Sequence, residues 1–128
     1  MSAYADVLAE IAEKPLKEAL EPFVCNQADV VFKEEYSFEW AGHLVKMIAT
    51  PGHSAGSSCF LIDSMLFVGD TILDNNLMTR FPGSNKKIYL EKTAPKLKEL
   101  LEVARIVYPG HGDAMTRDEA LAVIDSEK

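Results

Sequence analysis

A chain of 128 residues with 48% hydrophobic side chains holds enough apolar material for one folded core, so a disordered chain is excluded. The net charge of −7 lacks the footprint of a nucleic-acid or membrane-surface binder, and two cysteines, Cys25 and Cys59, are too few for a disulfide framework. No apolar run nears the ~18 residues that span a bilayer, and the first residues lack the basic and apolar regions of a signal peptide; a cytoplasmic location is the expectation.

The pattern predicts one domain, 1–128, opening with a helical segment over 1–22. Residues 3–13 read as a helix with Val7, Leu8 and Ile11 as its apolar stripe. Pro15 begins a second short helix to about Leu20, and Pro22 ends it. Val30–Phe32 and Phe38–Trp40 read as short strands flanking an acidic turn at Glu34-Glu35. Trp40-Ala41-Gly42-His43 reads as a hairpin turn with His43 in solvent. Leu44–Ala49 is apolar on both faces apart from Lys46, which suits an interior strand. Cys59–Ile62 and Met65–Val68 form a hairpin about Asp63-Ser64, with Cys59 as a buried free thiol. Residues 72–87 read as a long loop. Ile88 to Ala104 reads as a helix with Leu90, Leu97, Leu100 and Leu101 on its apolar face, and Pro95 kinks or breaks it. Arg105–Tyr108 is the last predicted strand. Thr116-Arg117-Asp118-Glu119 is a capping box that opens a final helix.

Three of these apolar runs end in glycine followed by a metal-type side chain. Val45 to Gly52 leads to His53, Met65 to Gly69 leads to Asp70, and Arg105 to Gly110 leads to His111. Ligand sites in α/β sheets gather outside the carboxyl ends of strands. If the three strands lie side by side and run the same way, two imidazoles and a carboxylate meet at one rim. Those donors suit a divalent metal. A single histidine after a strand carries little weight, but three matching units using two of the chain's three histidines carry much more.

The segments Thr50-Pro51-Gly52-His53-Ser54, Phe67-Val68-Gly69-Asp70-Thr71 and Tyr108-Pro109-Gly110-His111-Gly112 resemble the last three metal-binding motifs of the metallo-β-lactamase superfamily. The closest flavour is that of the glyoxalase II-like hydrolases. The match covers residues 29–116. The resemblance implies that His53 is a ligand of a first metal, Asp70 the carboxylate bridging two metals, and His111 a ligand of the second. Zinc is the metal it implies. Ser54, Thr71 and Asp113 would brace the ligands, although for each a turn or cap role is the stronger reading. Arg80 resembles a loop arginine that meets a substrate carboxylate in glyoxalase-like members; a surface arginine is the stronger reading there too.

The superfamily's principal motif, His-x-His-x-Asp-His, is absent, so three of seven expected ligands are present. The implied fold class is therefore α/β: half of an αββα sandwich, one mixed sheet with helices on one face. The implied function is hydrolysis of a thioester, ester, lactone or lactam by metal-activated hydroxide. The chain alone is expected to hold metal weakly and to be close to inactive. Its bare sheet face is expected to pair with a complementary N-terminal half or with a second copy, and not with nucleic acid or membrane. The alternative is a non-catalytic remnant or interaction module.

Overall fold

The computed structural model describes residues 26–73, 76–77, 79 and 82–126. The chain divides into two compact units, Met1–Val31 and Phe32–Lys128. The described residues of the first unit, 26–31, carry no helix or strand. The helices expected over 3–13 and 15–20, together with Cys25 and Arg80, lie outside the described residues.

The second unit is built on a mixed six-stranded sheet in the order β1-β2-β3-β4-β7-β8. Its first four strands form an antiparallel meander: β1 (Glu35–Trp40), β2 (His43–Ala49), β3 (Ser58–Ile62) and β4 (Met65–Gly69). The β1–β2 turn places Ala41 and Gly42 at φ 50° and 81°, the double left-handed geometry that matches hairpin twist. Asp63, at φ 53°, turns the β3–β4 hairpin. β7 (Ile106–Pro109) then joins β4 in parallel, and β8 (Met115–Thr116) closes the sheet antiparallel to β7. A separate two-stranded ribbon, β5 (Ile72–Leu73) with β6 (Asn76–Leu77), lies inside the segment expected to be a plain loop.

Each strand alternates between two faces, and the cross-strand register sorts the side chains. Ile48, Cys59, Leu66, Val68, Val107 and Met115 point to one face. There they meet Leu97, Leu100 and Leu101, followed by Ala120, Val123 and Ile124. Full burial of side chains of this size contributes about 1.5–3 kcal/mol each. The other face carries Tyr36, Phe38, Met47, Phe60, Ile62, Met65, Phe67, Ile106 and Tyr108. Phe67 and Tyr108 stack across the parallel pair with centroids 5.1 Å apart. Tyr36, Phe38, Phe60 and Ile106 remain 39–41% exposed. The helices described cover one face and leave an aromatic one open.

The helical segments depart from the expected single helix. Lys86–Ile88 forms one α-turn, α1, capped by the Asn85 side chain, which accepts from the Ile88 amide at 3.0 Å. Tyr89–Thr93 is a π-turn, and α2 runs over Ala94–Leu100. Pro95 accounts for the switch. It has no N–H to give and its ring clashes with the carbonyl four residues back. The turn before it widens, and the Ala94 N–H bonds to the Tyr89 carbonyl, five residues back. The helix also ends before Ala104. The Arg117 guanidinium donates to the Ala104 and Glu102 carbonyls there. α3 (Arg117–Ser126) starts as expected: the Glu119 amide donates to Thr116 Oγ1, and that hydroxyl pairs with the Glu119 carboxylate.

Three strand expectations are corrected. Glu34-Glu35 is no turn, because β1 begins at Glu35, whose carboxylate pairs with Lys46 (3.4 Å) and Lys96 of α2 (3.6 Å). Residues 30–32 form no strand. β7 is not the last strand, since Met115–Thr116 adds an edge to it. Two residues are too short a run to show a period of two.

Candidate metal centre

β2, β4 and β7 run in the same direction. The antiparallel β3 stands between β2 and β4, so only β4 and β7 are neighbours. Their carboxyl ends still share one rim, because two reversals restore the direction of β2. The ladder shifts between Phe67 and Gly69, where two steps of β4 face one step of β7. A bulge of this kind bends a strand and re-aims its next side chain. Gly69 adopts φ 54° at that point, and Asp70 follows. The Gly110 amide bonds to the Gly69 carbonyl at 2.8 Å, which docks the His111 turn against the Asp70 turn.

The result is a carboxylate between two imidazoles. Asp70 Oδ2 lies 3.6 Å from His53 Nε2, and Asp70 Oδ1 lies 3.6 Å from His111 Nε2. His53 is the more enclosed side chain, at 26% exposure against 77% for His111. Both separations exceed a direct hydrogen bond. They are close to the roughly 3.4 Å between two donors on one tetrahedral zinc with ~2.0–2.1 Å bonds. Among the described residues, no group of three or more His, Cys, Asp or Glu side chains is set to enclose one ion. Each oxygen of the Asp70 carboxylate thus faces a different imidazole nitrogen.

Gly110 makes room for that carboxylate. A Cβ at Gly110 would stand 2.8 Å from Asp70 Oδ1 and 3.3 Å from the Gly69 carbonyl carbon. Gly110→Ala is therefore expected to displace Asp70 and to destabilise the fold by about 1–3 kcal/mol through overpacking. Chemical denaturation measures the second effect. A changed cobalt absorption spectrum reports the first.

The remaining predicted residues divide. Thr71 is buried beside Cys59 and Thr50, whose hydroxyl lies 3.2 Å from the Cys59 sulfur. Burial pushes the Cys59 thiol up to about 11, so it is an inert core group and not a metal donor. The Ser54 hydroxyl pairs with Ser57 Oγ at 2.9 Å and orders its own turn. Asp113 is exposed in the turn after His111. His43 is half-exposed, as expected, and its Nδ1 sits 2.9 Å from Asp63 at the opposite end of β2 from His53.

Sequence reasoning missed the segment that holds the His53 loop. Ser84 Oγ donates to the His53 carbonyl at 2.8 Å, and the Asn85 amide donates to the Gly52 carbonyl at 2.7 Å. The Thr93 hydroxyl donates to the Pro51 carbonyl. The signal available was Pro95 inside an otherwise helical run, which marks an irregular turn but does not say what it touches.

The metallo-beta-lactamase superfamily model matches residues 8–112. The chain belongs to the metallo-β-lactamase superfamily. Its relatives in that superfamily include a probable polyketide biosynthesis zinc-dependent hydrolase, BaeB, of Bacillus velezensis. That protein is 27% identical over 82 residues, 64% of this chain and 36% of BaeB. An atrochrysone carboxyl ACP thioesterase of Aspergillus fumigatus is 33% identical over 90 residues, 68% of this chain and 26% of that protein. The solved metallo-beta-lactamase from Pontibacter korlensis superposes with a TM-score of 0.63 at 19% identity, covering 97% of this chain and 56% of that one. The fold is thus that of part of a metallo-β-lactamase sandwich, and the chain spans about a third or less of the curated relatives it matches. No helix among the described residues is long and apolar enough to cross a membrane.

Proposed function

We propose that this chain contributes His53, Asp70 and His111 to a two-metal hydrolytic centre of the glyoxalase II-like kind, acting on an acyl thioester or a related ester. The observation that carries the reading is the Asp70 carboxylate, which offers one oxygen to each of two imidazoles at 3.6 Å. Zinc is favoured by the imidazole and carboxylate donors and by the name of the Bacillus relative. Bound there, divalent metal would lower the pKa of water to about 7 and polarise the scissile carbonyl. The chain's own residues supply the rest. Each histidine turns Nε2 toward the carboxylate, and Asp70 offers one oxygen toward each of the two positions. Gly69 and Gly110 keep the backbone close beneath them. The thioester is favoured over a lactam by the thioesterase among the relatives.

One imidazole and one shared carboxylate per ion fall short of the three or more protein ligands of a catalytic zinc. The remaining ligands are assigned to a His-x-His-x-Asp-His segment packed on the aromatic sheet face. The purified chain is expected to bind cobalt or zinc weakly and to cleave an acyl-thioester probe at near background rate. Adding a polypeptide that carries the motif, taken from the N-terminal half of a superfamily hydrolase, is expected to raise both. Metal uptake that stays undetectable with that half present would overturn the reading. The open aromatic face favours one other role, an interaction module without catalysis, and in that case the halves associate with no gain in turnover.

A further inference from the structure

We infer that the π-turn Tyr89–Thr93 is the positioning device of His53, with Thr93 as its principal residue. The inference rests on the two-metal reading for its purpose and on separate contacts for its geometry. His53 follows β2 by a loop, so no strand ladder fixes its backbone. The carbonyls of Pro51, Gly52 and His53 are instead each taken by the 84–93 segment: by Thr93 Oγ1, the Asn85 amide and Ser84 Oγ in that order. Three consecutive carbonyls held from one side leave the loop a single path.

The packing beneath agrees. Gly52 adopts φ 155°, a region that residues with a side chain rarely enter, and a Cβ there would stand 2.9 Å from Tyr89 Cβ. The loop backbone therefore lies flat on the buried Tyr89. Tyr89 and Thr93 open and close the π-turn, and both are fully buried. A wider turn shifts the direction of every later side chain relative to an α-helix. Pro95 follows that wider turn, and Thr93 reaches Pro51 from it. The same segment also begins with Asn85, whose amide holds Gly52 while its side chain caps α1. The backbone of the site's first histidine is thus set by a helix irregularity some forty residues away in sequence, through backbone carbonyls.

Thr93→Val tests this, since it keeps the side-chain shape and removes the donor; Thr93→Ser restores the donor. In the full chain without metal, Thr93→Val is expected to shift the NMR ring resonances of His53 and leave those of His43 unchanged. Exchange of the Asn85 amide is expected to accelerate about tenfold, the effect of leaving one buried acceptor unpaired. The weak cobalt affinity is expected to fall by a similar factor. Thr93→Ser is expected to stay near wild type in all three. Val123→Ala, a core change in α3, is the control: it lowers stability and leaves the His53 resonances in place. Unchanged His53 resonances and Asn85 exchange in Thr93→Val would overturn the positioning role, as would an equal response to Val123→Ala. If the wild-type chain takes up no cobalt with or without a complementing half, the metal reading fails, and the resonance and exchange measurements still decide the role of Thr93.

Discussion

Asp70→Asn is expected to abolish the bound metal and to reduce any complemented thioester hydrolysis by about a thousandfold, the scale of losing several kcal/mol of charge stabilisation at both ions. Asparagine keeps the shape of the side chain. It replaces one oxygen by an amide nitrogen that donates and cannot ligate. Because the two carboxylate oxygens face different histidines, the substitution would take a donor from one of the two proposed ions and the negative charge from both. The side chain is partly exposed, at 37%, so the fold itself is expected to tolerate the exchange. Metal content by inductively coupled plasma spectrometry and thiol release from an acyl-thioester probe measure the two effects. A variant that retains both, with His53→Ala and His111→Ala equally silent, would remove the centre from these residues. Loss of metal in Asp70→Asn with unchanged thermal unfolding would locate the effect in the donor and not in the fold.

Phe60→Glu is expected to have the second large effect, on association. Phe60 sits in the middle of the open sheet face, between Met47 on β2 and Phe67 on β4, and is 41% exposed. Tyr36, Phe38 and Ile106 extend the patch on either side. A contiguous apolar patch of this kind marks an interface. At ~25 cal/mol per Å², covering several hundred Å² is worth roughly 10 kcal/mol of gross burial. A partner half, or a second copy of the chain, is the expected cover. A glutamate at the centre must be desolvated by any partner, so association is expected to weaken about a hundredfold, or ~3 kcal/mol. The opposite face holds the core, so folding is expected to persist. Sedimentation equilibrium at micromolar concentration, with binding of a hydrophobic dye as a second readout, measures both. A wild-type chain that is a clean monomer and binds no dye would refute pairing.

The three strand-glycine units leading to His53, Asp70 and His111 were legible because each carries a local reason for its residues. An apolar run makes a strand, glycine makes the turn, and the next side chain is left at the strand's end. Gly69 at φ 54° and Gly110 beneath Asp70 show that these glycines answer to geometry. Periodicity likewise exposed the β3–β4 hairpin, and the capping box exposed the start of α3. The resemblance drawn from those motifs reached the superfamily and the mixed sheet with helices on one face.

What the sequence by itself determined is therefore what nearest neighbours enforce: alternation, turns, caps and the order of the strand-Gly-ligand units. Tertiary structure alone decided which distant pieces meet. It placed β3 between β2 and β4, since strand order depends on long-range pairing that no local pattern encodes. It turned Pro95 from an apparent helix breaker into the cause of a π-turn, because a missing N–H permits several outcomes and packing on Gly52 selects one. It divided the oxygens of Asp70 between two histidines 58 positions apart in the chain, through a bulge visible only when β4 and β7 lie side by side. Local chemistry supplies the donors, and the distances between them arise from backbone paths that only the packed sheet defines.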